Sequence, residues 1–543
     1  MSENRSENMV QQSRRRVGVF GWGVVAPGCD DVESFREKLY QGGSWLESFE
    51  DFGPSNFLVG KPDFDLEKYH PWIDERFPPN RFRQLQSKMG LPTLMAVGSF
   101  IQALGQNPGI EKTLQELGNA AHVYVGTGLG DLPTISEVAL TADKAQRNWD
   151  AFWAHPDNCP ARAAFDAGDA RPDTLSELPV QPESLPVADQ EDARITWNKY
   201  WASQSSKLKE YLVESREIEG VNVVGEVESN KTSVIRGKMK KAAQLRKDWG
   251  VPEEPWNAIS PNLLWNIHSS VATQITMMGK ITGPSFSPVA ACSTFGVALK
   301  LGMDAIQRGE AEAVVIGASD PPPHPMVVGA FNAARVLSND GDVSKPLTGL
   351  RGTHISGGSC VWIIGDLEKM TARGFTPIGM EPIGVGLTSD ADHIITPSEE
   401  GPTASIHSAL CSADAKVEEV TSWDLHCTAT PGDFLEVQNA RKLFHEDILM
   451  TARKGTFGHG MGVCGGWELT AQMMAGEEGH VAPASLENTE LNSQISEIHG
   501  NFLLGDSVNL PEGLAGKLSM GVGGINACVI SRPWATENNP EVR

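Results

Sequence analysis

VAACSTFGVALKLGMDAIQR, residues 289–308, changes character within its first four positions. An apolar run ends at Ala290-Ala291-Cys292, and from Phe295 to Arg308 the apolar side chains recur at helical spacing, which predicts a strand feeding directly into a helix. Cys292 then sits at the strand-to-helix turn, where unpaired backbone N–H groups and the positive end of the helix dipole lower a thiol's pKa and make thiolate accessible near neutrality. That is a nucleophile's environment. Taken alone, a cysteine behind an apolar strand more often serves as a small buried hydrophobe, so the rest of the chain decides between the two.

Working outward, further apolar or β-branched runs with glycine punctuation lie at Arg16–Pro27, His122–Gly126, Ser285–Cys292, Ala313–Ala318, Cys360–Gly365 and Leu518–Ile530. Alternation of such strands with helical stretches predicts an α/β architecture. Their distribution suggests two similar halves, residues 1–335 and 336–543, the first carrying Cys292. The stretch from about 141 to 256 differs in kind, with few strand signals and a Pro/Asp/Glu-rich part at 171–192. It holds six of the chain's 14 tryptophans, an enrichment that fits a folded, inserted helical subdomain rather than a solvated linker.

The chain has 543 residues, enough for several lobes, and its 45 Lys and Arg against 69 Asp and Glu leave a net charge of −24. Phosphate contacts need clustered cations, so nucleic acid is disfavoured as a partner. One local reversal stands out: residues 231–248 carry seven cations and one acid, a solvated helix face or a surface for an acidic partner. The eight cysteines form no C-x-x-C pair, and neither a zinc site nor a disulfide framework is expected. The glycine-rich MGVGG at 520–524 lacks the lysine or acidic residue that follows in nucleotide motifs, and no cofactor is expected. The polar opening MSENRSENMVQQSRRR and the lack of any eighteen-residue apolar run predict a cytoplasmic protein with no membrane insertion.

Five ordered motifs add a family resemblance. The chain resembles a β-ketoacyl-acyl-carrier-protein synthase of the thiolase superfamily, the elongating type with one cysteine and two histidines. AACST around Cys292 resembles the nucleophile motif; DLHCTATP, with His426, resembles HGTSTP; and KGTFGHGMGVCGG, with Lys454 and His459, resembles K-x-x-x-GH-x-x-G-x-x-G. Glu468 falls nine residues beyond His459, MGVGGIN at 520–526 resembles GFGGTN, and VGVFGWGVVAPGCDDVESFREKL matches the family's first strand and helix.

The resemblance implies a thiolase-like duplicated αβαβα layered fold with a large helical insertion. It also implies an acyltransferase activity: decarboxylative Claisen condensation of an acyl thioester held on Cys292 with malonyl-acyl-carrier-protein, giving a β-ketoacyl-acyl-carrier-protein in fatty acid or polyketide-type biosynthesis. A soft thiolate suits acyl exchange between thioesters, and N–H donors on the malonyl thioester oxygen stabilise the enolate left by loss of CO2. By resemblance His426 and His459 supply those donors, and the backbone N–H groups of Cys292 and Val522 form the oxyanion hole. Lys454 with Glu468 orients His459, while Thr428 and Thr430 bond the pantetheine arm. Carrier proteins are acidic, so Arg81, Arg83 and Lys88, together with Lys240 and Lys241 in the insertion, are candidate docking residues. A homodimer is implied, and no metal.

Three departures accompany these matches. Gly358 stands where a glutamate is usual. Met520 and Val522 replace two phenylalanines, one of them a gate to the cysteine. The turn after HCTATP is one residue shorter, which leaves the partner of Asp433 open. A chain-initiating synthase using acetyl-CoA and a non-catalytic chain-length partner subunit are the alternatives, the latter disfavoured by the presence of Cys292 and both histidines.

Overall fold

The apolar run behind the polar leader forms Val17–Val25, a strand buried along its whole length. In the computed structural model, which describes residues 14–169, 178–222, 227–394 and 398–534, this strand edges the first of two five-stranded sheets. The leader through Ser13 and residues 171–177 of the acidic segment lie outside the described residues.

The first sheet runs Val17–Val25, Gly358–Asp366, Ala313–Asp320, Ala121–Gly126 and Ser285–Phe286. The second runs Met380–Ser389, Ile525–Pro533, Leu514–Gly521, Val420–Asp424 and Leu449–Thr451. Numbered in chain order within each sheet, both read 1-5-4-2-3. Both pair antiparallel across 1-5 and 5-4, and parallel across 4-2 and 2-3. This shared topology, invisible as sequence identity, is the duplication. Its boundary differs from the expected 335: Gly358–Asp366 fills the place between Val17–Val25 and Ala313–Asp320, so the second repeat starts at Met380.

Helices supply three layers around the two sheets. Leu91–Gly105 and Ser270–Gly279 cover the outer face of the first sheet, and Glu400–Ala413 covers the second. Thr294–Gln307 and Cys464–Glu478 pack against each other between the sheets. The latter is buried over its first twelve residues, as a helix enclosed on every side requires. The order is αβαβα.

Two expected strands take a different form. Ser285–Cys292 is a strand only at Ser285–Phe286, because Pro288 has no N–H to give a ladder and the chain turns at Ala290. Leu518–Ile530 is a hairpin, its arms Leu514–Gly521 and Ile525–Pro533 joined through Gly523 and Gly524, both at positive φ.

Residues Thr134–Leu263 form a separate compact unit, slightly wider than the expected insertion. It is helical, with Gln190–Gln204, Ser206–Glu219 and Val227–Trp249 as its longer members besides most of Leu132–Ala154. Five of its six tryptophans form its cores, Trp256 being exposed: Trp149 and Trp153 pack with Tyr211, Leu245 and Trp249, while Trp197 and Trp201 pack with Cys159 and Phe165.

Candidate active site

Ala291 adopts φ +47°, a left-handed conformation that non-glycine residues seldom take. It throws the chain from the Ala290 turn into the single turn Ala291–Ser293 and the helix Thr294–Gln307. The Ser293 hydroxyl donates to the carbonyls of Ile525 (2.7 Å) and Ser519 (3.1 Å), fastening this turn to the second-sheet hairpin. The backbone N–H of Val522 is thereby brought against the Cys292 sulfur, beside the N–H of Cys292 itself. The second repeat has the same device: Met461 at φ +53° opens the turn Met461–Val463, and Gly462 takes the place of Cys292.

Cys292 is buried, and this changes the sequence expectation for its sulfur. Burial pushes the thiol up to about 11, against the opposing pull of the Val522 N–H and the Lys454 charge. The helix N-terminus faces the second half of the molecule instead of water, so the resting group is a thiol.

His426 follows the strand Val420–Asp424 and owes its position to two buried carboxylates on the helix Gly432–Leu443. Glu436 accepts the backbone N–H groups of His426 (2.6 Å) and Cys427 (2.8 Å). Asp433 accepts those of Thr428 (2.8 Å), Leu347 (2.9 Å) and Ala429 (3.1 Å), which supplies its partners despite the shortened turn. The Thr428 and Thr430 hydroxyls lie 3.0 Å apart. His459 is held by its main chain, its N–H donating to the His354 carbonyl (2.7 Å) and its carbonyl accepting from the Ser356 N–H (2.9 Å).

The two imidazoles stand 5.4 Å apart between centroids, edge to face at 81°. Burial, reinforced by the Lys454 charge, holds His426 well below the ordinary histidine value and His459 down to about 3. Both are neutral, with one N–H each to offer.

Behind them lies a buried chain of charges. The Lys454 ammonium donates to the His426 carbonyl and to Glu468 Oε1 at 2.7 Å; Glu468 Oε2 pairs with Lys517 at 2.7 Å; Lys517 pairs with Asp424 at 3.4 Å, and Asp424 with Arg453 at 3.8 Å. Burial opposes ionisation of Glu468, but the Lys454 and Lys517 charges outweigh it and hold the carboxyl below its usual value. Asp320, at the end of a central strand, accepts from Gly128, Leu129 and Thr127 at 2.8–3.0 Å and is pushed by burial up to about 6.

Cys292, His426, His459, Thr428, Thr430, Met520 and Val522 line one cavity of about 340 Å³. Met520 also faces a smaller apolar recess of about 50 Å³ under Leu435 and Trp423. The space expected for a glutamate at Gly358 is taken: a Cβ there lies 2.7 Å from the Trp467 ring, whose N–H donates to the Val25 carbonyl at 3.1 Å. Of the proposed docking cations, Arg81 turns inward to Gln274 (2.9 Å) and Lys88 lies over the Trp265 ring, whereas Arg83 is exposed. Lys240 and Lys241 are exposed on Val227–Trp249. Among the described residues no group of three His, Cys, Asp or Glu is arranged to hold a metal ion, and no helix is long and apolar enough to cross a membrane.

Residues 215–368 match the family described as "Beta-ketoacyl synthase, N-terminal domain", and residues 381–486 match "Beta-ketoacyl synthase, C-terminal domain". The chain carries both β-ketoacyl synthase domains. The matches place the junction of its two ketoacyl synthase domains between residues 368 and 381, where the second sheet begins.

Among named relatives of this chain, "Nodulation protein E" of Rhizobium meliloti is 31% identical over 222 residues, 40% of this chain and 55% of that protein. "3-oxoacyl-[acyl-carrier-protein] synthase 2" of Staphylococcus aureus (strain COL) is 30% identical over 236 residues, 41% of this chain and 57% of that protein. The chain thus aligns with little more than half the length of these relatives. Of solved structures, the ishigamide ketosynthase/chain length factor superposes with a TM-score of 0.67 at 18% identity, covering 96% of this chain and 100% of that one. A β-ketoacyl synthase from Burkholderia phymatum STM815 gives 0.65 at 17%, with the same coverage of both chains. At such identities the shared property is the fold.

Sequence reasoning missed Glu436, Asp424, Lys517, Asp320 and Trp467. Glu436 had a signal, since its three-residue spacing from Asp433 puts both carboxylates on one helix face. The others lie far apart along the chain and meet only through the two sheets.

Proposed function

We propose that this chain is a condensing enzyme that joins an acyl group, carried on Cys292, to the carbanion formed by decarboxylation of a malonyl thioester. The observation that carries the reading is the convergence of Cys292, the Val522 N–H and two neutral imidazoles on one cavity.

In the first half-reaction the Cys292 sulfur attacks an acyl thioester, the backbone N–H groups of Cys292 and Val522 hold the tetrahedral oxyanion, and the donor thiol leaves with the proton that Cys292 gives up. In the second, a malonyl thioester loses CO2 while the N–H groups of His426 and His459 take the charge on its carbonyl oxygen. The carbanion attacks the acyl carbonyl on Cys292, the β-ketoacyl thioester is released, and the sulfur leaves as thiolate and takes a proton from solvent to return to the thiol. Neutral imidazoles suit this role, because each keeps an N–H to donate without protonating the carbanion. Thr428 and Thr430 flank the path of the pantetheine arm, and Lys454 with Glu468 positions His426 and His459.

The partner is an acyl carrier protein delivering the malonyl group. Arg83 on the one unit and the exposed helix face with Lys240 and Lys241 on the other are two separate docking candidates, and Arg81 and Lys88 drop out because their side chains are engaged elsewhere. A second copy pairs across the edge strand Ser285–Phe286, where Phe286 and, three residues on, Val289 are exposed.

Intact-mass measurement after incubation with a panel of acyl thioesters tests the reading. One acyl adduct per chain is expected, absent in Cys292→Ala; adduct formation that persists in that variant overturns the assignment.

A further inference from the structure

We propose that Lys517 is a resident counter-cation that positions Glu468, and through it Lys454, for the decarboxylation half-reaction; the inference rests on the condensing-enzyme reading above.

A lysine in an interior strand of a sheet covered on both faces is rare unless its charge is paired. Lys517 lies mid-strand in Leu514–Gly521, level with Asp424 on the neighbouring strand, and is fully buried. Its ammonium donates to the carbonyls of Leu518 (2.7 Å) and Leu425 (3.1 Å) and pairs with Glu468 (2.7 Å) and Asp424 (3.4 Å). Four oxygens surround one nitrogen, and each comes from a segment that carries part of the site. Asp424 and Leu425 immediately precede His426. Leu518 leads through Met520 to Val522. Glu468 sits on the central helix and holds Lys454, which in turn holds the His426 carbonyl.

The arrangement is electrostatically directional. Glu468 divides its two oxygens between Lys454 and Lys517. Without the Lys517 charge, Glu468 and Asp424 are left as neighbouring buried carboxylates with no cation between them. Glu468 then either draws Lys454 away from the His426 carbonyl or takes up a proton and releases it. Both outcomes disturb the backbone that presents His426 and the field that keeps the imidazoles neutral. The turn Ala291–Ser293 that presents the nucleophile is fastened instead by Ser293 to Ile525 and Ser519, and it meets this network only through the field of Lys454. Lys517 is a positioning residue in this account: it reaches no substrate atom and acts through Glu468 and Lys454.

The test separates the two half-reactions in the full-length chain. Acylation of Cys292 is read by intact mass, and decarboxylation by CO2 release from malonyl-carrier protein, in wild type, Lys517→Met, Glu468→Gln and the double variant. Lys517→Met is expected to acylate within twofold of wild type and to decarboxylate at least tenfold more slowly. Because the two residues act as one unit, the double variant is expected to be no slower than Lys517→Met. Decarboxylation at the wild-type rate in Lys517→Met overturns the inference. So does a double variant whose loss is the product of the two single losses. Parallel loss of both half-reactions, misfolding included, makes Lys517 a folding residue only and overturns it as well. A wild-type chain that neither acylates nor releases CO2 instead removes the condensing-enzyme reading on which the inference rests.

Discussion

Glu436 accepts the backbone N–H of His426 at 2.6 Å, and its second oxygen takes the next N–H along the chain, that of Cys427. One carboxylate thus fixes the peptide that aims the imidazole. In Glu436→Gln the amide nitrogen replaces one acceptor and leaves a buried donor facing a donor, at a cost of about 1–3 kcal/mol. The expected outcome is a lower midpoint in thermal denaturation and a fall in decarboxylation of about ten- to a hundredfold from misplacement of His426. Acylation of Cys292 is expected to continue.

Because burial holds the Cys292 thiol up to about 11, the thiolate fraction is small at neutrality and grows with pH until that value is reached. Alkylation of Cys292 by iodoacetamide is therefore expected to rise about tenfold per pH unit between pH 7 and 10. Cys411, the exposed cysteine among the eight, is expected to label first at pH 7, as peptide mapping can check. A Cys292 rate that levels off below pH 8 contradicts the buried thiol.

Gly358 has no room for a side chain: its φ is +152°, and a Cβ added there would stand 2.3 Å from the Val25 carbonyl and 2.7 Å from the Trp467 ring. Gly358→Glu, which restores the residue usual in the family resemblance, is expected to destabilise the fold by more than about 3 kcal/mol through overpacking and strain. Chemical denaturation measures it, and a variant as stable as wild type rules out Trp467 as the occupant of that space.

Lys240 and Lys241 carry no ion pair among the described residues. Charge reversal at both is expected to raise the KM for a carrier-protein thioester severalfold at low salt while leaving kcat unchanged, because exposed charges act on encounter and are screened by salt. Steady-state kinetics at two ionic strengths decides this, and unchanged kinetics remove the insertion from the docking surface.

The legible part of the molecule is local. The strand-to-helix change at Cys292 and the histidine motifs can be read because each is a short stretch whose residue types serve a turn or a loop. The sulfur's protonation state is not legible, since it depends on how deeply the second repeat buries the helix start. The shared 1-5-4-2-3 strand order is hidden for a different reason. Val420–Asp424 and Leu449–Thr451 are too short to show a period, and Lys517 breaks the apolar pattern of its strand. That lysine gives no local signal of its role because its partners, Asp424 and Glu468, lie 93 and 49 positions away.

An acyl group on Cys292 is expected to be extended by carbon from a malonyl thioester. The most direct test isolates the protein carrying a carbon-13-labelled acyl group on Cys292, mixes it with malonyl-carrier protein, and follows the label by mass spectrometry. The label is expected to leave Cys292 for a carrier-bound β-ketoacyl product two carbons longer, with one CO2 released per label transferred. Label that stays on Cys292, or departs as the unextended acid, contradicts it.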